Sequence, residues 1–342
     1  MNFIFLAPRF HTNHFFLTKK LILDGHKVFY FVEKTIGISN KKYINPIKIS
    51  YSKLGLPIID VKNYNFNSSN SVVIIRDPFY FKTLIYLFYF KSYKKIFYSQ
   101  VDAGRQTLFN KVVINFYTNF FSAKWMTPVN SGNKKLFKKL IYFPFVAEIN
   151  NKPKKKLKSN TFKFISIGKA QERKNLFFLI NAFIKVYRQD KRSRLTLITS
   201  YHDQQGLSIY NKIKSIIIKN RLSKIIDLYV NIPHKESRQL IDRSDVFILP
   251  ARNEIASISI IEAFSSNLPV IVASDCGNAH YVKHLLTGYI FKSNDIDDLI
   301  NSMIFFLKLS SDHIYKIKTN IFSISKTEFD VSRVPELVKM LK

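Results

Sequence analysis

Glu254 and Glu262 stand eight residues apart within ARNEIASISIIEAFSSNLPVIVASDCGNAHYVKHLLTGYIF, residues 251–291. Two carboxylates held at different depths beside a helix start suit a ligand with hydroxyls at both ends and a phosphate between. The acids accept hydroxyl hydrogens, and the backbone N–H groups of residues 255 to 258 would receive the anion. Upstream, Gly168-Lys169-Ala170-Gln171-Glu172-Arg173-Lys174 places three cations after a strand-like run. Such a loop could clamp a diphosphate between cationic side chains and backbone donors, although it lacks the glycine spacing of a P-loop or a dinucleotide fingerprint. Taken alone, the acidic pair is also what a solvated loop carboxylate and an exposed helix position would look like. Its meaning therefore depends on the elements that carry it.

A helix starting near Ser257 carries Glu262 two turns in, with Ile260, Ile261, Ala263 and Phe264 on the opposite face. Asn267, just before Leu268-Pro269, is a left-handed helix stop, and PVIVAS enters as a strand. Before it, strands and helices alternate: Phe162 to Ile167, Asn175 to Tyr187, Leu195 to Thr199, Leu207 to Lys219, Ile225 to Val230, Glu236 to Arg243 and Val246 to Leu249. The first half repeats the architecture. NFIFLA is a strand, PRFHTNH a loop, Phe15 to Asp24 a helix, Gly25-His26 its stop and Lys27 to Val32 the next strand. That βαβ order favours a parallel sheet. Ligands of open α/β sheets bind beyond the carboxyl ends of strands, which brings His11, Asn13 and His14 near any site, unless they are simply solvated. Val72 to Ile75 is a further strand. Asn150 to Asn160, NNKPKKKLKSN, is basic, polar and contains Pro, the composition of a linker.

The chain has 342 residues, enough for two domains, and its 46% hydrophobic content is globular rather than disordered. Net charge is +31, with 27 Lys+Arg against 6 Asp+Glu in residues 1–158. A basic face attracts nucleic acid, anionic lipid or a polyanionic substrate, while a composition rich in Lys, Asn, Ile, Phe and Tyr also accounts for part of the excess. Phe79 to Ser99, FYFKTLIYLFYFKSYKKIFYS, fits an interfacial membrane contact or an ordinary core helix followed by the strand KKIFYS. No RNA-binding or zinc-finger pattern accompanies it, so nucleic acid is not expected as a partner. The single cysteine, Cys276, cannot form an internal disulfide, which suits a reducing compartment, and the expected location is cytoplasmic. Without an identifiable His or Asp partner, Cys276 is a small wall residue rather than a nucleophile. The first ten residues resemble a strand rather than a signal peptide, so the mature chain is expected to begin at Met1. No apolar stretch reaches the roughly 20 residues of a membrane-spanning helix.

FISIGKAQERKNLFFLINAF, followed by DRSDVFILPARNEIASISIIEAFSSNLPVIVASDCGN, resembles the retaining glycosyltransferases of family 4 across residues 160–300, with a weaker likeness at Gly25-His26. The resemblance implies the α/β GT-B fold: two facing Rossmann-like domains with parallel sheets and a cleft between them. The implied boundaries are an acceptor-side domain over 1–153, a nucleotide-sugar domain over 154–325 and a C-terminal helix over 326–342 returning to the first domain.

It also implies roles. Lys169, where the family usually has Arg, and Lys174 bind the diphosphate, and Glu254 contacts donor-sugar hydroxyls; these three are the catalytic set. Glu262 accepts hydrogen bonds from the ribose, and Gly168, Ile255, Ala256, Ser257, Gly277 and Asn278 complete the donor site. EIAS lacks the family's glycines, which bears on the sugar pocket more than on the fold. The first loop lacks the family's glycine pair, and YSQVD replaces the usual active-site histidine. The acceptor-side candidates are accordingly His11, Asn13, His14, Gln100 and Asp102, with Ser99 also weighed.

The implied reaction is sugar transfer from a nucleotide-diphosphate donor such as a UDP-sugar to a hydroxyl of a glycan or lipid-linked acceptor, with retention. A bacterial cell-surface polysaccharide is the expected setting, and an anionic inner membrane face the expected seat. The acceptor attacks from the leaving-group side, and a donor phosphate oxygen takes its proton. No metal and no cofactor beyond the co-substrate is implied, and Asp295-Ile296-Asp297 is taken as a helix cap. A sugar-nucleotide epimerase and a non-catalytic binding protein of the same fold are the alternatives.

Overall fold

The computed structural model describes residues 1–35, 43–59, 62–64, 66–76, 79–100, 107–130, 140–155 and 159–342. The chain divides into two compact units, one of residues 1–146 with 331–342 and one of residues 147–330. The sequence reading places these divisions at 153/154 and 325/326.

The first unit carries β1 (Asn2–Arg9), α1 (Phe15–Leu23), β2 (Lys27–Lys34), β3 (Ile47–Lys48), β4 (Ser50–Tyr51), β5 (Pro57–Ile58), β6 (Ser71–Arg76), α2 (Lys82–Tyr89), β7 (Lys94–Tyr98), α3 (Leu108–Phe120), β8 (Lys124–Thr127) and β9 (Leu140–Tyr142). Its main sheet runs β3-β2-β1-β6-β7-β8-β9, with every neighbour parallel. A parallel strand covered on both faces must be apolar throughout, and Phe3, Ile4, Phe5 and Leu6 of β1 are all buried. The aromatic stretch from Phe79 forms a helix and then a strand, with Phe81 and Phe88 exposed. Tyr86, Leu87 and Phe90 enter the core beside Phe97 and Trp125.

In the second unit lie β10 (Phe162–Lys169), α4 (Leu176–Gln189), β11 (Ser193–Ser200), α5 (Gln204–Lys219), β12 (Ile226–Val230), α6 (His234–Asp242), β13 (Val246–Leu249), α7 (Ser259–Ser265), β14 (Val270–Ala273), β15 (Gly288–Phe291), α8 (Ile296–Lys308) and α9 (Ser311–Glu328). The sheet order is β12-β11-β10-β13-β14-β15, again all parallel. Numbered within the unit this is 3-2-1-4-5-6, the doubly wound order whose direction reverses between its first and fourth strands. The reversal opens a crevice beyond the carboxyl ends of β10 and β13, which places the loops after Lys169 and after Leu249 side by side.

The last helix, α10 (Val334–Leu341), belongs to the first unit and buries Val334, Leu337, Val338 and Leu341, a stripe at helical spacing, with α1 among its neighbours. Among the described residues no helix is long and apolar enough to cross a membrane.

One expectation needs correction, and one helix was not expected. Helix α7 starts at Ser259, not near Ser257, so Glu262 lies in its first turn. The reason is a competing partner: the Ser257 N–H donates to Asn278 Oδ1 at 2.9 Å, and the Ser257 and Ser259 hydroxyls bond each other at 2.6 Å. Helix α9, which the sequence reading does not place, has only Ile317, Ile321 and Ser325 buried. So narrow a stripe gives little apolar periodicity to detect. Other details hold. Ile260, Ile261, Ala263 and Phe264 are buried, Asn267 is left-handed at φ 55°, and Asp295 caps α8 by accepting from the Asp298 N–H at 3.0 Å.

Candidate functional site

Near the end of β10, Gly168, still paired with Thr199, lies beneath Lys174: a Cβ on Gly168 would sit 3.3 Å from the Lys174 Cδ. The glycine thus lets Lys174 fold back across the strand end, while Lys169 is exposed. Asn175, left-handed at φ 56°, starts α4 and donates from its amide to the Pro250 carbonyl at 3.2 Å, tying this loop to the one after β13. Across that tie, Glu254 Oε2 receives Lys174 Nζ at 2.5 Å and Arg173 Nη1 at 2.6 Å. Glu254 is 8% exposed, so it is no solvated loop carboxylate. Both cations converge on one oxygen, and Oε1 makes no hydrogen bond to any described residue.

The loop holding Glu254 is stitched to the loop after β14. Asn253 N–H donates to Asp275 Oδ2 at 2.9 Å, and Gly277 N–H to the Glu254 carbonyl at 2.7 Å. The Asn278 amide closes the seam by accepting from Ser257 N–H and donating to the Ser257 carbonyl, each at 2.9 Å. Gly277 is required by space, since a Cβ there would meet the Ile255 carbonyl oxygen at 1.9 Å. Asn278 and the Ser257 N–H, expected at the donor, are therefore engaged with each other. Ile255 is half exposed and Ala256 is at the edge of burial. Cys276 is buried, and burial raises its thiol to about 12, the property of a wall residue rather than a nucleophile.

Glu262 is half-buried at the start of α7, and its Oε1 lies 3.0 Å from His234 Nε2. That hydrogen bond raises the imidazole above its ordinary value of 6.5. Arg238 donates to the Glu262 carbonyl at 2.7 Å.

In the first unit the sheet order reverses between β1 and β6, and the acceptor-side candidates gather there. Arg76, the last residue of β6, donates to Gln100 Oε1 at 3.0 Å and to Asn13 Oδ1 at 3.4 Å. It lies over the Tyr98 ring, which packs edge-on against His14 with centroids 4.6 Å apart. His14 Nδ1 is 2.8 Å from Tyr30 Oη. Burial, then the charge of Arg76 and then His11, holds His14 well below 6.5, so it is neutral at neutral pH. The His11 and His14 rings are 6.3 Å apart. Ser99 is buried, and Asp102 lies outside the described residues. Among the described residues no three His, Cys, Asp or Glu side chains are grouped to share a metal ion.

Residues 148–320, just over half of the chain, match the family model for glycosyl transferases group 1. The chain belongs to that family. The group 1 match covers both Glu254 and Glu262 and the whole Gly168 loop. The UDP-Gal:alpha-D-GlcNAc-diphosphoundecaprenol alpha-1,3-galactosyltransferase of Escherichia coli is 29% identical over 162 residues, 47% of this chain and 40% of that protein. The alpha-monoglucosyldiacylglycerol synthase of Acholeplasma laidlawii is 24% identical over 144 residues, 42% of this chain and 35% of that one. The matches thus span under half the length of these curated relatives. Among solved structures, Anabaena HepE in complex with UDP superposes with a TM-score of 0.77 at 14% identity, covering 99% of this chain and 98% of that one. A glycosyltransferase from Rickettsia africae gives 0.76 at 14% identity over 100% and 98%. These likenesses extend the fold of two Rossmann-like domains over the whole chain.

Three residues of this group 1 chain were missed as site residues from sequence. Arg173 was counted only as one of three loop cations, because nothing local shows that it reaches an acid 81 residues on. Neither Arg76 nor His234 is singled out by the sequence reading. Both stand at carboxyl ends of parallel strands, β6 and β12. The rule that selected His11 and His14, applied to every strand, would have found them.

Proposed function

We propose that this protein is a retaining glycosyltransferase of family 4 that transfers a sugar from a nucleotide-diphosphate donor to a hydroxyl of a lipid-linked or glycan acceptor. The observation that carries the reading is the meeting of Lys174, Arg173 and Glu254 over Gly168, at the switch point of a doubly wound sheet. Lys169 and Lys174 take up charge on the departing diphosphate, the work a metal ion does elsewhere. Glu254 keeps Oε1 for a sugar hydroxyl, and Glu262 keeps Oε2 for the ribose. The bond from the anomeric carbon to phosphate breaks as the bond to the acceptor oxygen forms on the same face. The acceptor proton passes to a phosphate oxygen of the leaving group, so no protein nucleophile is needed.

UDP is the first base to try, since the Escherichia coli relative is named for a UDP-sugar donor and HepE was solved with UDP. Lipid-linked acceptors are favoured by the names of two curated relatives, one a diphosphoundecaprenol and one a diacylglycerol enzyme. A cytoplasmic protein seated on an anionic inner membrane face, working in surface polysaccharide synthesis, follows from that acceptor class and the basic first half. Helix α3 supports the seat: Leu108, Val112, Phe116 and Phe120 form a stripe at i, i+4, i+8 and i+12, each at least half exposed, with Phe109 beside it.

The test is turnover of a panel of nucleotide sugars with a lipid-diphosphate glycan acceptor, reading product configuration by NMR. Retention is expected, and Lys174→Ala should cost roughly 100-fold or more in kcat. An inverted product, or sugar conversion without any acceptor, overturns the reading.

A further inference from the structure

We propose that His234 is a positioning residue for the donor, locking one oxygen of Glu262 so that the other meets the ribose hydroxyls of a nucleoside diphosphate. The proposal rests on the reading of Glu262 given above and adds a residue outside the Gly168 loop and the acidic pair.

The geometry is specific. His234 is the first residue of α6, directly after Pro233 and at the carboxyl end of β12. Proline's fixed φ sets the entry to the helix, and thereby the place of the imidazole. Helix α6 then grips α7 twice. Arg238, one turn on, donates to the Glu262 backbone carbonyl, which also accepts from Ser265 Oγ at 2.8 Å. Those bonds hold the main chain, and the His234 bond holds the side chain.

A carboxylate is an acceptor only, so Nε2 must carry the hydrogen, and its pairing with Glu262 raises His234 in the direction that keeps it there. The charged groups acting on the imidazole are Glu262 from α7 and Arg238 from its own helix. Glu262 Oε2 makes no hydrogen bond to any described residue, and Oε1 retains a second lone pair. Vicinal hydroxyls can therefore be received side by side by a carboxylate that no longer rotates. A glutamate has three rotatable torsions, and their restriction before the ligand arrives removes an ordering cost from binding. The imidazole's exposure suits this function, since its side chain is 41% exposed and its replacement leaves the core intact.

Isothermal titration of the full chain tests this, using UDP, GDP, ADP and CDP to find the tightest ligand, and then its 2′,3′-dideoxy counterpart. His234→Ala should weaken the ribonucleotide by about three- to tenfold. The same change should leave the dideoxy ligand unaffected, and His234→Gln, whose amide nitrogen replaces Nε2–H, should recover most of the loss. Equal weakening of both ligands, or no weakening, overturns the proposal, because a merely structural histidine does not distinguish a ribose from its deoxy form. Wild-type protein that binds a nucleotide but ignores the ribose hydroxyls overturns the role of Glu262 and with it that of His234. Failure of the wild type to bind any of the four overturns the donor reading itself.

Discussion

Each acid of the pair keeps one oxygen open while protein cations or an imidazole hold the other: Arg173 and Lys174 on Glu254, His234 on Glu262. A carboxylate half-satisfied in this way is oriented without being consumed, since its remaining lone pairs still face a ligand. At the same scale, His14 links the first unit to pH. Its imidazole is buried and held neutral, whereas in the unfolded chain it titrates near 6.5. Below that value the unfolded chain binds the extra proton, so this contribution is fully present above pH 6.5 and is lost as pH falls. Thermal unfolding followed from pH 7.5 to 5 should show a declining midpoint that flattens in His14→Gln. An unchanged slope in that variant would place the acid sensitivity elsewhere.

At the scale of elements, the proposed donor site rests on a seam between two loops rather than on a helix start. The chain from Asn253 to Ser257 is held by Asp275, Gly277 and Asn278, and this seam delays α7 to Ser259. Gly277→Ala tests the seam, because the added carbon would lie 1.9 Å from a backbone oxygen that has no flexible side chain to give way. We expect about 1–3 kcal/mol of destabilisation and weaker nucleotide binding, read by denaturant unfolding and titration. Unaltered binding would mean that the two loops move independently. The strands and helices around the seam were legible because alternating apolar runs and amphipathic stretches are local signals, as Val246 to Leu249 and the Asn267 stop illustrate. Helix α9 was not, since three buried positions in eighteen residues leave almost no pattern.

For the molecule as a whole, a net charge of +31 meets an exposed aromatic stripe on α3 in the more basic part of the chain. Lysines alone give weak, salt-sensitive attraction to anionic lipid, and rings at the headgroup boundary add apolar burial. Flotation with vesicles of mixed neutral and anionic lipid should show binding that falls with salt. Phe116→Ser with Phe120→Ser should reduce it about tenfold or more, from roughly 1.5–3 kcal/mol for each fully buried ring, discounted for partial immersion. Binding that ignores both lipid charge and these rings sinks the membrane seat. The sequence reading that places the contact on Phe79 to Ser99 has its own candidate rings, since Phe81 and Phe88 are exposed while Tyr86, Leu87 and Phe90 are core residues.

By itself the sequence determined most of the alternating strands and helices, hence two parallel doubly wound sheets, and several of the strand ends at which chemistry gathers. Apolar periodicity and helix stops act over a few residues and survive without tertiary context. Only the tertiary structure decided which atoms meet. Arg173 and Glu254 are 81 residues apart, His234 and Glu262 are 28, and Arg76 and Asn13 are 63. Side-chain pairing over such separations is set by sheet order and loop packing, for which a linear pattern holds no code. The acidic pair could be read from its spacing, whereas the partners that aim it came from the fold.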